Sequence, residues 1–199
     1  MSAAAVEHPC DDEPTLLEAA EELSRKLPGY RVEIIGGEIT VTPPADGPHG
    51  DSLTEVMAPL LSAGVHGKET RVIQAFGVWM PDGPSDFAIP DLAVVDADYR
   101  DHLVKNNCYD PAVFRLVVEV TSSNYGNDLK KKVSAYAAAG IPAYVIVDRR
   151  NNRLRVLTEP TAGEYRVHAV YPPGESVTLP EACLGARVTL DVATVLDPA

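Results

Sequence analysis

The sequence predicts an α/β fold, a mixed sheet with helices on both faces, and two observations carry that prediction. From residue 50 onward the apolar spacing switches between helical and strand periods in the order α-β-β-β-α-β. Only one strand-helix-strand crossover occurs in that order, which argues against a doubly wound sheet and for a small mixed one.

Residues 1–13 are small, polar and acidic and read as a disordered tail, leaving 14–199 as one domain with its core at about 50–158. Thr15 and Glu18 form a T-x-x-E capping box, and Leu16, Leu17, Ala20, Leu23 and Leu27 follow at helical spacing until Pro28-Gly29. The run YRVEIIGGEITVTPP reads as a β-hairpin turning at Gly36-Gly37. The stretch ADGPHGD is expected as a loop, followed by a helix capped by Ser52 and Glu55, kinked or shortened by Pro59 and ended by Gly64 and Gly67. Strands are expected at 70–80, 88–95 and 114–121, then a helix from about Asp128 to Ala139 that stops at Gly140 and Pro142. Residues 143–148 and 153–158 read as paired strands around an Asn151-Asn152 turn. The C-terminal extension (164–196) is expected to add a strand or two without chemistry of its own.

Composition narrows the function classes. A hydrophobic content of 45% suits a packed core, and no apolar run reaches the ~18 residues that would cross a bilayer. The N-terminus has no basic start and no apolar segment of a secretory signal. Cys10, Cys108 and Cys183 are far apart and odd in number, which points to a reducing compartment, the cytoplasm. Five scattered histidines leave no HExxH spacing, and no GxGxxG, Walker loop or GxSxG motif is present. A net charge of −12 argues against a nonspecific nucleic-acid coat. Residues 127–155 nevertheless carry +5, so the other 170 residues sum to −17.

Asp91 heads the apolar strand LAVV, and Glu119 lies inside FRLVVEVT. Alternation sets Phe114, Leu116, Val118 and Val120 on one face and Arg115, Val117, Glu119 and Thr121 on the other. A strand carboxylate is expensive to bury unless something neutralises it. Two such strands can share a hard cation such as Mg²⁺. Taken singly, Glu119 could equally pair with a basic side chain and Asp91 could cap a turn. A third member favours the joint site: Asp128, Lys132 and Tyr136 stand at successive four-residue steps on the next helix, so Lys132 can point toward Glu119.

Strand-borne P-D, then E-x-T, on this element order resembles the core of the PD-(D/E)XK nuclease superfamily, whose fold is restriction-endonuclease-like. The run VVEVTSSNYGNDLKKKVSAYAAAGIPAYVIVD is similar to the Uma2 family of restriction endonucleases through Glu119, Asp128, Lys132, Tyr136, Gly140, Tyr144, Val147 and Asp148. Ile35-Gly36-Gly37-Glu38, Pro43-Pro44 and His49 resemble that family's hairpin and following loop, so the similarity spans roughly 30–158. One departure stands out: the superfamily's lysine position, two after the second acid, holds Thr121. The resemblance implies that Lys132 substitutes from the helix, with Lys131 as the fallback.

The resemblance implies a divalent-metal-dependent endonuclease acting on DNA. Asp91, Glu119 and the Val120 main-chain carbonyl would hold Mg²⁺ (or Mn²⁺), with Lys132 as the catalytic lysine. Glu38, His49, Asp128 and Tyr136 are accessory candidates, and Lys130, Lys131 and Arg149 are candidate phosphate contacts. Cutting both strands takes two sites, which a homodimer would supply. Two rivals remain: a non-catalytic interaction module on the same fold, and a metal-dependent hydrolase of a substrate other than DNA.

Overall fold

The structure, a computed structural model, describes residues 14–121 and 127–197. The tail expected at 1–13 lies outside the described residues. Helix α1 (Leu16–Lys26) starts as predicted: Thr15 Oγ1 accepts the Glu18 N–H, and the Glu18 carboxylate accepts the Thr15 N–H. Strands β1 (Arg31–Ile35) and β2 (Glu38–Thr42) pair antiparallel with Ile35 opposite Glu38. The two turn residues, Gly36 and Gly37, have φ of 62° and 71°, the left-handed pair that a tight two-residue hairpin requires. The Asp86 carboxylate accepts both of their N–H groups, at 2.6 and 3.2 Å.

Helix α2 runs from Gly47 to Ser62, so the expected loop at 45–51 is largely its first turn. Asp46, not Ser52, is the N-cap: its carboxylate accepts the His49 N–H at 2.8 Å, and Pro48 fits the first turn, where no N–H partner is required. Pro59 sits inside the helix, which ends at Ser62.

The single strand expected at 70–80 is two. Strand β3 (Thr70–Gln74) and strand β4 (Gly77–Trp79) belong to different sheets, and Ala75 between them has a φ of 49° that no continuous strand contains. Residues 88–95 divide in the same way, into β5 (Phe87–Ala88) and β6 (Leu92–Asp96), around Pro90, which has no N–H for a ladder. Strands β7 (Leu103–Lys105) and β8 (Cys108–Tyr109) are too short to leave a periodic signal. Strand β9 (Phe114–Val120), helix α3 (Asn127–Ala138) and strand β10 (Ala143–Asp148) lie where expected. Strand β11 (Arg153–Thr161) is longer than predicted and pairs with β12 (Glu164–Tyr171). The C-terminal extension holds more than strands: β13 (Ser176–Thr178) and β14 (Thr189–Asp191) pair, and two short helices, α4 (Glu181–Leu184) and α5 (Val192–Leu196), accompany them.

Among the described residues, the core sheet has the order β12-β11-β10-β9-β6-β3, and a second sheet has the order β2-β1-β5-β4-β8-β7. Strands β9 and β10 are parallel and joined through α3, the one crossover in the sequence reading. One face of the core sheet packs Leu92, Leu116, Val118 and Val145 against Val56 and Leu60 of α2 and against Val192 and Val195 of α5. The other face packs Val117 and Ile146 against Tyr136 and Ala137 of α3 and Val78 and Ala88 of the second sheet. Helices thus cover both faces, as the fold class requires. Phe114 joins the second face rather than that of Leu116, because the β6–β9 register shifts between Val94 and Val95. No helix among the described residues is long and apolar enough to cross a membrane.

Candidate active site

Strands β6 and β9 are antiparallel, with Ala93 opposite Val117 and Leu92 opposite Val118. The same register carried one step further brings Asp91 beside Glu119. Each carboxylate has one oxygen fixed by the scaffold. Asp91 Oδ2 accepts the Val120 N–H at 2.8 Å, and His49 Nε2 lies 3.3 Å from it. Glu119 Oε1 accepts from Lys132 Nζ and from the Tyr136 hydroxyl, both at 2.9 Å. The other two oxygens face a single cation. Arg31 Nη2 donates to Asp91 Oδ1 at 2.6 Å, and Arg31 Nη1 lies 3.8 Å from Glu119 Oε2.

Glu33, two residues along β1 from Arg31, completes the group. Its Oε1 accepts the Ile89 N–H at 2.7 Å and lies 3.0 Å from Lys132 Nζ, so the lysine bridges Glu33 and Glu119. Glu33, Asp91, Glu119 and Lys132 are 1%, 3%, 7% and 7% exposed, so solvent screens the Lys132 ion pairs far less than it would surface ones. Counted as ionised, the three carboxylates exceed the two permanent cations they face by one negative charge.

The two strand acids respond to this setting in opposite directions. Burial alone would raise Asp91, but its His49 contact, the Arg31 charge and the Val120 N–H together hold it well below the usual carboxylate range. Burial raises Glu119; Lys132 opposes the rise, while the Asp91 and Glu33 charges add to it. Burial would lower Lys132, but Glu119 and Glu33 outweigh it and keep the ammonium protonated. Burial, with Glu119 next, pushes the Tyr136 hydroxyl far up, so it serves as a donor and not as an anion.

Of the residues singled out in the sequence, the structure brings Asp91, Glu119, Lys132, Tyr136 and His49 into one cluster. Val120 enters it through its N–H. Lys131 turns away to the exposed Glu38, at 2.5 Å, so neither joins the buried group. Arg149 pairs with Asp46 at 3.1 Å, and Lys130 is exposed. The side chain of Asp128 lies outside the described residues. Thr121, in the superfamily's lysine position, donates to the Val147 carbonyl and accepts the Arg149 N–H, tying β9 to the end of β10. Two members were missed: Arg31 and Glu33. Glu33 carried a readable signal, a lone carboxylate in the apolar strand VEII, the same pattern that marked Glu119. Arg31 carried none.

The donor set fits a hard divalent cation, because Asp91 Oδ1 and Glu119 Oε2 converge on one positive group within a cluster of excess negative charge. Among the described residues, no three His, Cys, Asp or Glu side chains form a metal-holding group. Two carboxylates suit Mg²⁺ or Mn²⁺, since Mg²⁺ keeps several waters and is bound through one or two carboxylates rather than an all-protein cage.

The profile of the Uma2 family, described as "Putative restriction endonuclease", matches residues 17–193. No curated protein matches the chain. Among solved structures, the chain is similar to "a putative nuclease belonging to DUF820 from Anabaena variabilis ATCC 29413", with a TM-score of 0.66 and 17% identity over 92% of this chain and 99% of that one. At that identity the likeness is one of fold.

Proposed function

This chain belongs to the Uma2 family, and from that premise we propose that it is a divalent-metal-dependent endonuclease that hydrolyses phosphodiester bonds in DNA. The observation that carries the reading is the pair of scaffold-fixed carboxylates, Asp91 and Glu119, each with its second oxygen turned to a common cation.

Asp91 and Glu119 would hold Mg²⁺ or Mn²⁺, which when bound polarises a phosphodiester and lowers the pKa of a bound water. The chain's own residues do the rest. The Val120 N–H and His49 fix the Asp91 carboxylate from one side, and Lys132 with Tyr136 fixes Glu119 from the other. Lys132, kept charged between two carboxylates, supplies the positive charge beside the reacting phosphate that Thr121 cannot. Preorganised charge of this kind is where such a site gains most of its rate. Exposed Lys130 would meet the substrate backbone, with Lys131 and Arg149 exchanging their acidic partners for phosphate. The free thiols Cys108 and Cys183 suit a cytoplasmic setting. A homodimer would bring one site to each strand.

The test is incubation of plasmid, linear duplex and single-stranded DNA with Mg²⁺ or Mn²⁺, beside Asp91→Ala, Glu119→Ala and Lys132→Ala. Cleavage is expected to stop in EDTA and to fall about a hundredfold or more in each variant. Cleavage that survives in the variants would refute the site. Metal binding without DNA cleavage would favour a hydrolase of another substrate, and no metal binding an interaction module.

A further inference from the structure

If Asp91 and Glu119 are metal ligands, then the guanidinium of Arg31 already stands where a divalent cation would have to be neutralised. It takes Asp91 Oδ1 at 2.6 Å and lies 3.8 Å from Glu119 Oε2, the two oxygens that the scaffold leaves untied. We propose that Arg31 is an internal counter-ion: it holds the two carboxylates in place without metal and gives them up when a divalent cation binds. The inference rests on the metal reading above and adds to it an exchange between two cations.

Three features of the cluster support the exchange. The first is charge. With Arg31 in place a dication turns the excess of one negative charge into an excess of one positive, whereas with Arg31 withdrawn the cluster is neutral. The second is freedom to leave. The Arg31 side chain keeps 24% of its surface exposed, while Lys132, at 9%, is held by Glu119 and Glu33 together. Arg31 is therefore the cation that can move. The third is a destination. A guanidinium is a planar fork that matches two phosphate oxygens, so an Arg31 released from the carboxylates is placed to take a phosphodiester. Substrate that engages Arg31 would then favour metal loading, and metal would favour substrate by the same factor.

Titration with Mn²⁺ alone, followed by the paramagnetic resonance of the free ion, tests this on the full chain. Wild type is compared with Arg31→Gln, Arg31→Lys and Asp91→Ala, each checked for folding by circular dichroism. Both Arg31 variants are expected to bind Mn²⁺ about tenfold more tightly than wild type. Lysine keeps the charge but is a point charge that cannot span both carboxylates. Its variant therefore separates loss of the bridge from a simple change in field, and it remains the informative variant if Arg31→Gln does not fold. Tightening in Arg31→Gln with none in Arg31→Lys would mean a field effect and overturn the exchange. Wild-type binding that is lost in Asp91→Ala but unchanged in both Arg31 variants would overturn the exchange and leave the metal reading standing. No Mn²⁺ binding by wild type or any variant would remove both.

Discussion

Lys132 Nζ lies 2.9 Å from Glu119 Oε1, so the ammonium reaches the strand acid from the helix that follows it rather than from its own strand. The two are thirteen positions apart, and the parallel crossover from β9 through α3 to β10 brings them together. The same ammonium lies 3.0 Å from Glu33. Removing it leaves two buried carboxylates short of a cation.

Lys132→Met, which preserves length and bulk, is accordingly expected to lower stability by about 3–5 kcal/mol. Lys131→Met, in an exposed pair with Glu38, should change it by no more than about 1 kcal/mol. Urea unfolding of the two variants beside wild type measures both. Similar losses would mean that Lys132 is not held as the geometry describes.

Tyr136→Phe removes the second donor to Glu119 Oε1 while keeping the ring that packs edge-on against Tyr144 at 5.0 Å. A buried acceptor deprived of one donor costs about 1–3 kcal/mol. The expected result is a loss of that size by thermal unfolding, with the fold intact by circular dichroism. A neutral result would show that Lys132 alone satisfies the carboxylate.

Glu33 accepts the Ile89 N–H as well as facing Lys132. Glutamine keeps an acceptor for that N–H, and alanine keeps nothing. Glu33→Ala should therefore be less stable than Glu33→Gln by roughly 1–3 kcal/mol, read from urea midpoints. Equal midpoints would mean that the Ile89 contact contributes nothing.

Asp86 holds the Gly36-Gly37 turn and so steadies the hairpin that carries Arg31 and Glu33. Asp86→Ala is expected to cost about 1.5–3 kcal/mol, the range for hydrogen bonds to a charged group. Amide exchange at Gly36 and Gly37 should also accelerate relative to α3. Unchanged exchange at these two amides would assign the restraint to the hairpin alone.

The sequence disclosed what depends on short-range pattern. The four-residue steps from Lys132 to Tyr136 predicted that both would face one way, and both donate to the same Glu119 oxygen. Apolar alternation located β9, a continuous apolar run located β10, and the T-x-x-E box located the start of α1. Sheet changes escaped it. Residues 70–80 have one continuous β-rich composition, yet the backbone at Ala75 leaves one sheet for the other, and composition records no such turn. For the same reason Arg31 passed unnoticed. It lies 60 residues from Asp91 in sequence, and only the docking of the second sheet makes them neighbours. The start of α2 was misplaced because Ser52-Glu55 imitates a cap, whereas Asp46 supplies the real one.

The division of the chain at Ala75 and Pro90 bears on folding. Glu119 belongs to the core sheet and Asp91 stands just ahead of its strand β6, Arg31 and Glu33 belong to the second sheet, and Lys132 to α3. A folding intermediate with only the core sheet formed would carry its acids without Arg31, and a docked hairpin without α3 would bury Glu33 without Lys132. In each half-built state a buried acid lacks a cation that it faces in the folded chain. The last step of assembly and the completion of the ion-pair cluster are thus expected to coincide.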